Sequence, residues 1–509
     1  MTDTLDKPQD QSQATGKSVQ EYIDELPVWP DGTALRSMPM TAMQFRIWAL
    51  ACAGKFFEGM VVFMTGVALP LIDASFGLHA TGNSIVSAAT LFGILIGATM
   101  LGGLADVFGR KQMFIIEMVL FVLFLVALTF SPSFIWLAIC LFGVGLALGC
   151  DYPTAHVVIA EAVPSRGRGM LILGAFAFQA VGAICGALLG VVILSFHPGI
   201  DAWRYMFAMA ILPAILVVIG RFFVCDSAHW LVSRGRMQEA AAATLTLLQR
   251  DPPYPKVVDL INPHHDAAAG GHVMPRGGLA SLFDTKTNRR ATFLAAIPWF
   301  LQDLSTYGIG IFTPVILATT LGAAGHIGSV ADLVHKVELS AKGTALLDVL
   351  LIVGILAAIA MVERAGRIWL QIIGFIGCAI GLGLAALSQS MSGGMQLTLL
   401  FTGFMLFNFM TNMGPNAQTY LLAGEVFPTH IRGYGAGFAA SFAKIGAVLT
   451  AFLFPILLKS IGTQTLLILL IGSSLLGAVV TWVFRIETRG RLDKLHHGGE
   501  VDQPQAATL

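Results

Sequence analysis

GCDYPTAHVVIAEAVPSRGRG, Gly149 to Gly169, returns past the midpoint of the chain as MGPNAQTYLLAGEVFPTHIRG, Met413 to Gly433. Glu161, Pro164, Arg168 and Gly169 of the first stretch reappear as Glu425, Pro428, Arg432 and Gly433 of the second, each 264 residues on. A second echo joins DVFGR, Asp106 to Arg110, to ERAGR, Glu363 to Arg367, 257 residues on. Two such similar offsets mark a duplicated unit of roughly 250 residues. Both long stretches are more polar than their surroundings. Parallel repeats in an apolar chain imply a transporter with its site between the halves.

Composition agrees. Hydrophobic residues make up 56% of the chain and Asp, Glu, Lys and Arg together 12%, the balance of an integral membrane protein rather than a soluble domain. Apolar runs long enough to cross a bilayer as helices fall at 47–72, 84–105, 112–131, 134–160, 169–195, 204–225, 292–320, 344–362, 368–388, 395–423, 434–457 and 463–484. The expected fold is therefore all-α, with twelve transmembrane helices in two pseudo-symmetric six-helix bundles. The expected division is an N-terminal tail over 1–45, a first bundle over 46–225, a linker over 226–290, a second bundle over 291–485 and a C-terminal tail over 486–509.

Positive segments stay cytoplasmic. Arg110, Lys111, Arg166, Arg168, Arg364, Arg367 and Arg432 all fall in even-numbered loops, whereas the loops at 73–83, 131–133, 196–202 and 388–394 contain neither Lys nor Arg. Both termini are thus expected in the cytoplasm, with the chain multi-pass in the cell membrane. The first 45 residues are polar, without the apolar core of a signal peptide. The linker carries a short helical pattern near Arg236 to Leu248 and reads as a surface connector. The six cysteines lie in or beside predicted spans without metal-ligand spacing, as packing residues do. The net charge is zero and no basic run is interleaved with aromatics, which gives no argument for a nucleic-acid partner. There is no P-loop, metal cluster or nucleophilic triad, so the reading is of a cofactor-free monomer, not an enzyme, driven by ion gradients.

GGLADVFGRK, Gly102 to Lys111, closes the second span. A carboxylate beside two cations on a tight turn can form a charge lock that opens when the halves rock apart. Here the chain resembles the major facilitator superfamily, whose signature between its second and third helices has this pattern. The resemblance spans about Phe45 to Gly490 and implies a gating set of Asp106, Arg110, Lys111, Glu161, Arg168, Glu363, Arg367, Glu425 and Arg432. GCDYP at Gly149 to Pro153, Gly414 to Asn416 and Gly424 to Thr429 further resemble the phosphate:proton symporters. Carried over residue by residue, that family's substrate contacts fall on Tyr152, Gln179, Trp299, Asp303, Tyr307, Asn416 and Lys444. Its proton route falls on Glu117 and Asp151, joined by Asp303.

Physical chemistry gives these positions a place of their own, because polar groups at bilayer depth must face a cavity or each other. Trp299, Asp303 and Tyr307 form one helical stripe at four-residue spacing. Tyr152 and Asn416 are separated by the repeat offset itself, and Gln179 and Lys444 miss it by one residue. Four helices thus aim donors at one central volume, and the ionised Asp303 adds an acceptor suited to a substrate that keeps a proton, as dihydrogen phosphate does.

The first span departs from the family. Where a pair of aspartates is expected, Lys55 and Glu58 stand three apart on one helical face. They form either an internal ion pair that removes a proton site or a rewired one, with Glu58 in the proton-coupling set. Cys150 and His156 are lesser departures, and His156 reads as an interhelical hydrogen-bonding residue. Gly182, Gly186 and Gly190, with Gly145 and Gly149, follow the small-xxx-small spacing of helix contacts. WLVSRGR (Trp230 to Arg236), ETRG (Glu487 to Gly490) and LQDLS (Leu301 to Ser305) resemble sugar-porter segments. The implied activity is proton-coupled symport of phosphate, with a sugar or small organic acid as the rival substrate and a non-transporting membrane sensor as the rival class.

Overall fold

The computed structural model describes residues 16–26, 40–101, 103–249, 258–260, 279–321, 329–428 and 431–488. Gly102, Thr429, Gly490, the proline-rich and glycine-rich parts of the linker and the chain beyond 488 lie outside them. Six helices make the first half: α1 (Ala42–Phe76), α2 (Ala80–Leu101), α3 (Arg110–Thr129), α4 (Phe134–Ala162), α5 (Arg168–Phe196) and α6 (Ala202–Phe222). The second half repeats them as α7 (Lys286–Leu321), α8 (Val330–Ala365), α9 (Arg367–Ser388), α10 (Gly393–Glu425), α11 (432–461) and α12 (463–484). The last two run on continuously except at Gly462, whose φ of 77° turns the chain back. Among the described residues the one β-bridge joins Lys17 to Leu260.

The spans hold because their exteriors are apolar. Leu123, Ile139, Leu216, Ile376, Leu469 and Val479 all remain exposed, a surface that suits lipid rather than water. Polar residues are turned inward or placed at the ends. Two of the spans begin where reciprocal caps satisfy free N–H groups: Thr41 and Gln44 form one on α1, and Ser329 and Asp332 form one on α8. That cap starts α8 fourteen residues before the apolar run at 344. Its first turns, with His335, Lys336 and Lys342, are helical but too polar for hydropathy to register.

The two echoes of the DxxGR motif have a shared geometric cause. Gly109 (φ 107°) and Gly366 (φ 85°) immediately precede α3 and α9, in a backbone region that side-chain-bearing residues rarely adopt. The small-residue spacing is likewise spent on close packing. A Cβ on Gly182 would lie 1.9 Å from Phe56 O of α1, and one on Gly145 would lie 1.9 Å from Thr90 O of α2.

Spans alternate in direction, so both ends of the described chain lie on one face, here the terminal face. There the linker forms two helices, Ala228–Ser233 and Met237–Leu248. They pack with the short helix Val19–Asp24 onto the first half, around Ile47, Val158 and Leu231. The halves meet along α2 with α11, α5 with α8 and α1 with α7.

Candidate functional site

Between the halves, α1, α5, α7 and α11 bring one hydrogen-bonded network together. Lys444 Nζ donates to Asp303 Oδ2 (3.1 Å) and to the Tyr307 hydroxyl (2.8 Å). Tyr307 donates to Glu58 Oε1 (2.9 Å), and Gln179 Nε2 donates to both Tyr307 (3.1 Å) and Glu58 (3.3 Å). Lys55 Nζ reaches Glu58 Oε2 at 2.5 Å and lies 3.8 Å from the centre of the Tyr152 ring. Lys55 and Glu58 are thus an ion pair, but one wired into the central network. Glu58, Asp303, Tyr307 and Lys444 are all buried.

The other expected substrate positions surround this core without joining its hydrogen bonds. Asn416 donates to Asn412 Oδ1 (2.6 Å) and shares with Gln179, Thr306 and Tyr307 a cavity of about 20 Å³. That is room for a water and not for a phosphate or a sugar. Tyr152 and Trp299 meet through a residue absent from the sequence-derived set, Tyr420, whose ring lies 6.2 Å from each and stacks 5.1 Å from Phe176.

The site is narrowed on both sides. Toward the terminal face, His156 Nδ1 and the Tyr420 hydroxyl lie 2.8 Å apart, an interhelical hydrogen bond as expected of His156. The two residues are separated by 264, so the bond joins repeat-equivalent positions on α4 and α10 and lies on the pseudo-two-fold axis. Toward the opposite face, α1 and α7 touch: a Cβ on Gly66 would lie 2.0 Å from Ile311 O.

Glu117 and Asp151 form a separate buried cluster. Thr154 Oγ1 donates to Glu117 Oε1 (2.7 Å), and Arg221 Nη1 pairs with Asp151 Oδ1 at 2.5 Å. Arg221 is fully buried, with its guanidinium also donating to the carbonyls of Phe114 and Leu50. Asp151 approaches α1 through Gly54, where any Cβ would meet Asp151 Oδ2. Sequence reading missed Arg221 because it ends an apolar run and looks like one more positive flank. It also missed Asp348, a buried acid inside the predicted eighth span that accepts from Asn408 Nδ2 (3.3 Å). The repeat offset, applied to His156, points directly to Tyr420.

At the terminal face the expected gating residues form two charge clusters, one within each half. Arg110 pairs with Asp106 (2.5 Å) and Glu161 (3.4 Å), all in the first half. Arg367 pairs with Glu363 (2.9 Å) and Glu425 (3.2 Å), all in the second. Ser227 donates to Glu161 and Thr488 to Glu425. Each cluster fastens a tight turn, whose short radius brings its charges onto the neighbouring helix of its own bundle. Lys111 contributes its backbone N–H to Asp226 (3.4 Å). Arg168 holds Gln20 of the N-terminal segment (2.8 Å), and Arg432 donates to Phe427 O (3.4 Å).

Comparison with known proteins places this architecture. Residues 47–495 match the family model described as "Sugar (and other) transporter". The inner membrane metabolite transport protein YgcS of Escherichia coli is 30% identical, over 89% of this chain and 93% of its own. A putative inorganic phosphate transporter of Schizosaccharomyces pombe is 25% identical, over 91% and 90%. The partially occluded, inward-open xylose transporter XylE of E. coli superposes with a TM-score of 0.69 at 20% identity, covering 88% of this chain and 99% of XylE. The chain belongs to the sugar (and other) transporter family of the major facilitator superfamily, as a multi-pass membrane transporter and not an enzyme.

Proposed function

We propose that the protein carries inorganic phosphate together with protons across the cell membrane by alternating access, with its terminal face in the cytoplasm. The observation that carries this reading is Lys444. Its buried ammonium is held between Asp303 and Tyr307 at the interface of the halves, with Gln179 beside it. A cation and neutral donors suit an oxyanion, and an adjacent carboxylate suits one that keeps a proton. The likeness to proteins named as inorganic phosphate transporters supports the same substrate. Asp303 and Lys444 bind, while Glu117, Asp151 and Asp303 serve proton movement.

A second reading, a small organic acid, is favoured by the aromatic wall of Tyr152, Phe176, Trp299 and Tyr420, which suits a carboxylate with an apolar body. The test is uptake of labelled phosphate into proteoliposomes under an inward proton gradient, with competition by sulfate, sugars and carboxylates. Phosphate alone competing is the expected result. Failure of unlabelled phosphate to compete, with competition by a sugar or carboxylate, overturns it.

A further inference from the structure

The central network already holds one oxyanion, and it is a side chain. The Glu58 carboxylate receives Lys55 Nζ on one oxygen, and Tyr307 and Gln179 on the other, with Lys444 Nζ 3.8 Å away. Its donors thus come from α1, α5 and α7, with a neighbouring cation from α11. Three of these four groups, Tyr307, Gln179 and Lys444, are positions the sequence assigned to substrate. An anion entering the site would need the same protons that Glu58 now occupies.

We propose that Glu58 fills the seat of the substrate's oxyanion, that Lys55 is a second substrate-binding cation, and that a proton on Glu58 vacates the seat. The proposal rests on the reading of the protein as a proton-coupled anion symporter, and it names the group that couples the two. The proton ends on a Glu58 oxygen, the carboxylate's hydrogen bonds from Lys55 and Tyr307 break, and substrate oxygens accept those two donors instead. The new O–H on Glu58 is the only covalent change.

Charge balance sets the stoichiometry. Lys55 with Glu58 and Lys444 with Asp303 make two ion pairs, which sum to zero. An anion entering alone would leave net negative charge at bilayer depth, and a proton entering alone would leave net positive charge, both strongly unfavourable. One proton with one monoanion restores zero. The other charged or titratable groups facing this seat are Asp151, Tyr152 and His156 from α4 and Tyr420 from α10, which line the adjoining cavity. Asp151 is neutralised by Arg221, and His156 and Tyr420 bond to each other. They stand outside the count.

Phosphate monoanion and carboxylate share this chemistry, so direct binding to the purified full-length protein is measured with inorganic phosphate, benzoate and xylose between pH 5.5 and 8.5. Wild-type affinity for the anion, expressed per monoanion, should fall about tenfold per pH unit on its alkaline limb, the slope of one linked proton. Glu58→Gln should bind at every pH as the wild type does at pH 5.5. Lys55→Gln should weaken binding about tenfold or more at pH 5.5, the loss of one charge-assisted contact. Glu58→Gln leaves Lys55 unpaired, so the double variant Lys55→Gln/Glu58→Gln serves if the single one does not fold, and should bind weakly with a flat pH profile. A wild-type pH slope surviving in the Glu58→Gln or double variant overturns the proposal, as does wild-type affinity in Lys55→Gln, even where phosphate binds. Benzoate showing the pattern while phosphate stays silent supports it and overturns phosphate as substrate. Xylose binding without pH dependence, or no binding by any of the three, overturns both.

Discussion

At the terminal face the two halves are copies: Asp106, Arg110, Glu161 and Ser227 in the first repeat the contacts of Glu363, Arg367, Glu425 and Thr488 in the second. At the level of the site they differ. Asp151, Tyr152 and His156 of α4 correspond by the repeat offset to Pro415, Asn416 and Tyr420 of α10. The first half buries Glu58, Glu117, Asp151 and Arg221, with Lys55 half-buried beside them, while the second lines α10 with the amides Asn408, Asn412 and Asn416 and carries its charges as Asp303, Lys444 and Asp348. A turn that must fasten a bundle has one solution and both halves keep it. A site that must distinguish proton from substrate needs two unlike walls.

The strongest way to break that division is through Lys444 and Asp303. Lys444→Ala leaves Asp303 and Glu58 short of their shared cation, a loss of about 3 to 5 kcal/mol for a buried charge partner, and should abolish measurable substrate binding. Asp303→Asn keeps size and hydrogen-bonding capacity, so binding and exchange should survive while proton-driven accumulation collapses. Affinity and pH-gradient-driven uptake measured on both variants separate the roles. Unchanged accumulation in Asp303→Asn rejects its part in proton movement, and unchanged affinity in Lys444→Ala points to a neutral substrate.

Arg221 tests the first half alone. Arg221→Met strands Asp151 and should lower thermal stability sharply, whereas Arg221→Met/Asp151→Asn removes both charges and should recover most of it. If the pair serves proton movement, the double variant will be stable and will still fail to accumulate substrate. Full accumulation by the stable double variant makes the pair a packing device.

The periodic and duplicated features were open to sequence reading because they repeat. The repeat offset paired Tyr152 with Asn416, and four-residue spacing put Trp299, Asp303 and Tyr307 on one face. The partners across helices were not open to it. Nothing near Arg221 in the chain announces Asp151, seventy residues earlier on another span, and the side of Glu58 that faces Lys444 is set by packing of α1 on α5 and α7. The partners of the charge clusters were closed to it for a related reason: sequence gives the sign of neighbouring groups but not whether their partners lie within a bundle or beyond it.

The duplicated clusters offer a finer comparison. Asp106→Asn and Glu363→Gln should slow cycling to similar extents, with substrate affinity nearly unchanged, because both carboxylates lie far from the site and are largely exposed. Exposed ion pairs contribute about 0 to 1 kcal/mol, so thermal stability should barely move. Rates differing by more than about tenfold between the two would show that one cluster also acts between the halves, and equal losses of affinity and rate would count against any gating role.

The smallest change concerns the bond on the pseudo-two-fold axis. Tyr420→Phe keeps the ring against Phe176, Tyr152 and Trp299 and deletes only the hydroxyl that meets His156. One hydrogen bond contributes about 0.5 to 1.5 kcal/mol, and about 1 kcal/mol shifts an equilibrium roughly fivefold. Because this bond joins the halves and the terminal-face ion pairs named above do not, its loss should favour opening toward the terminal face without changing the site's donors. Distances between spin labels placed on the terminal ends of α4 and α10 would report the shift, and substrate affinity measured at equilibrium would report the donors. A population that moves several-fold with little change in affinity assigns the bond to closure. An unmoved population with lowered melting temperature would make it a packing contact, and a large fall in affinity would place Tyr420 in the binding wall itself.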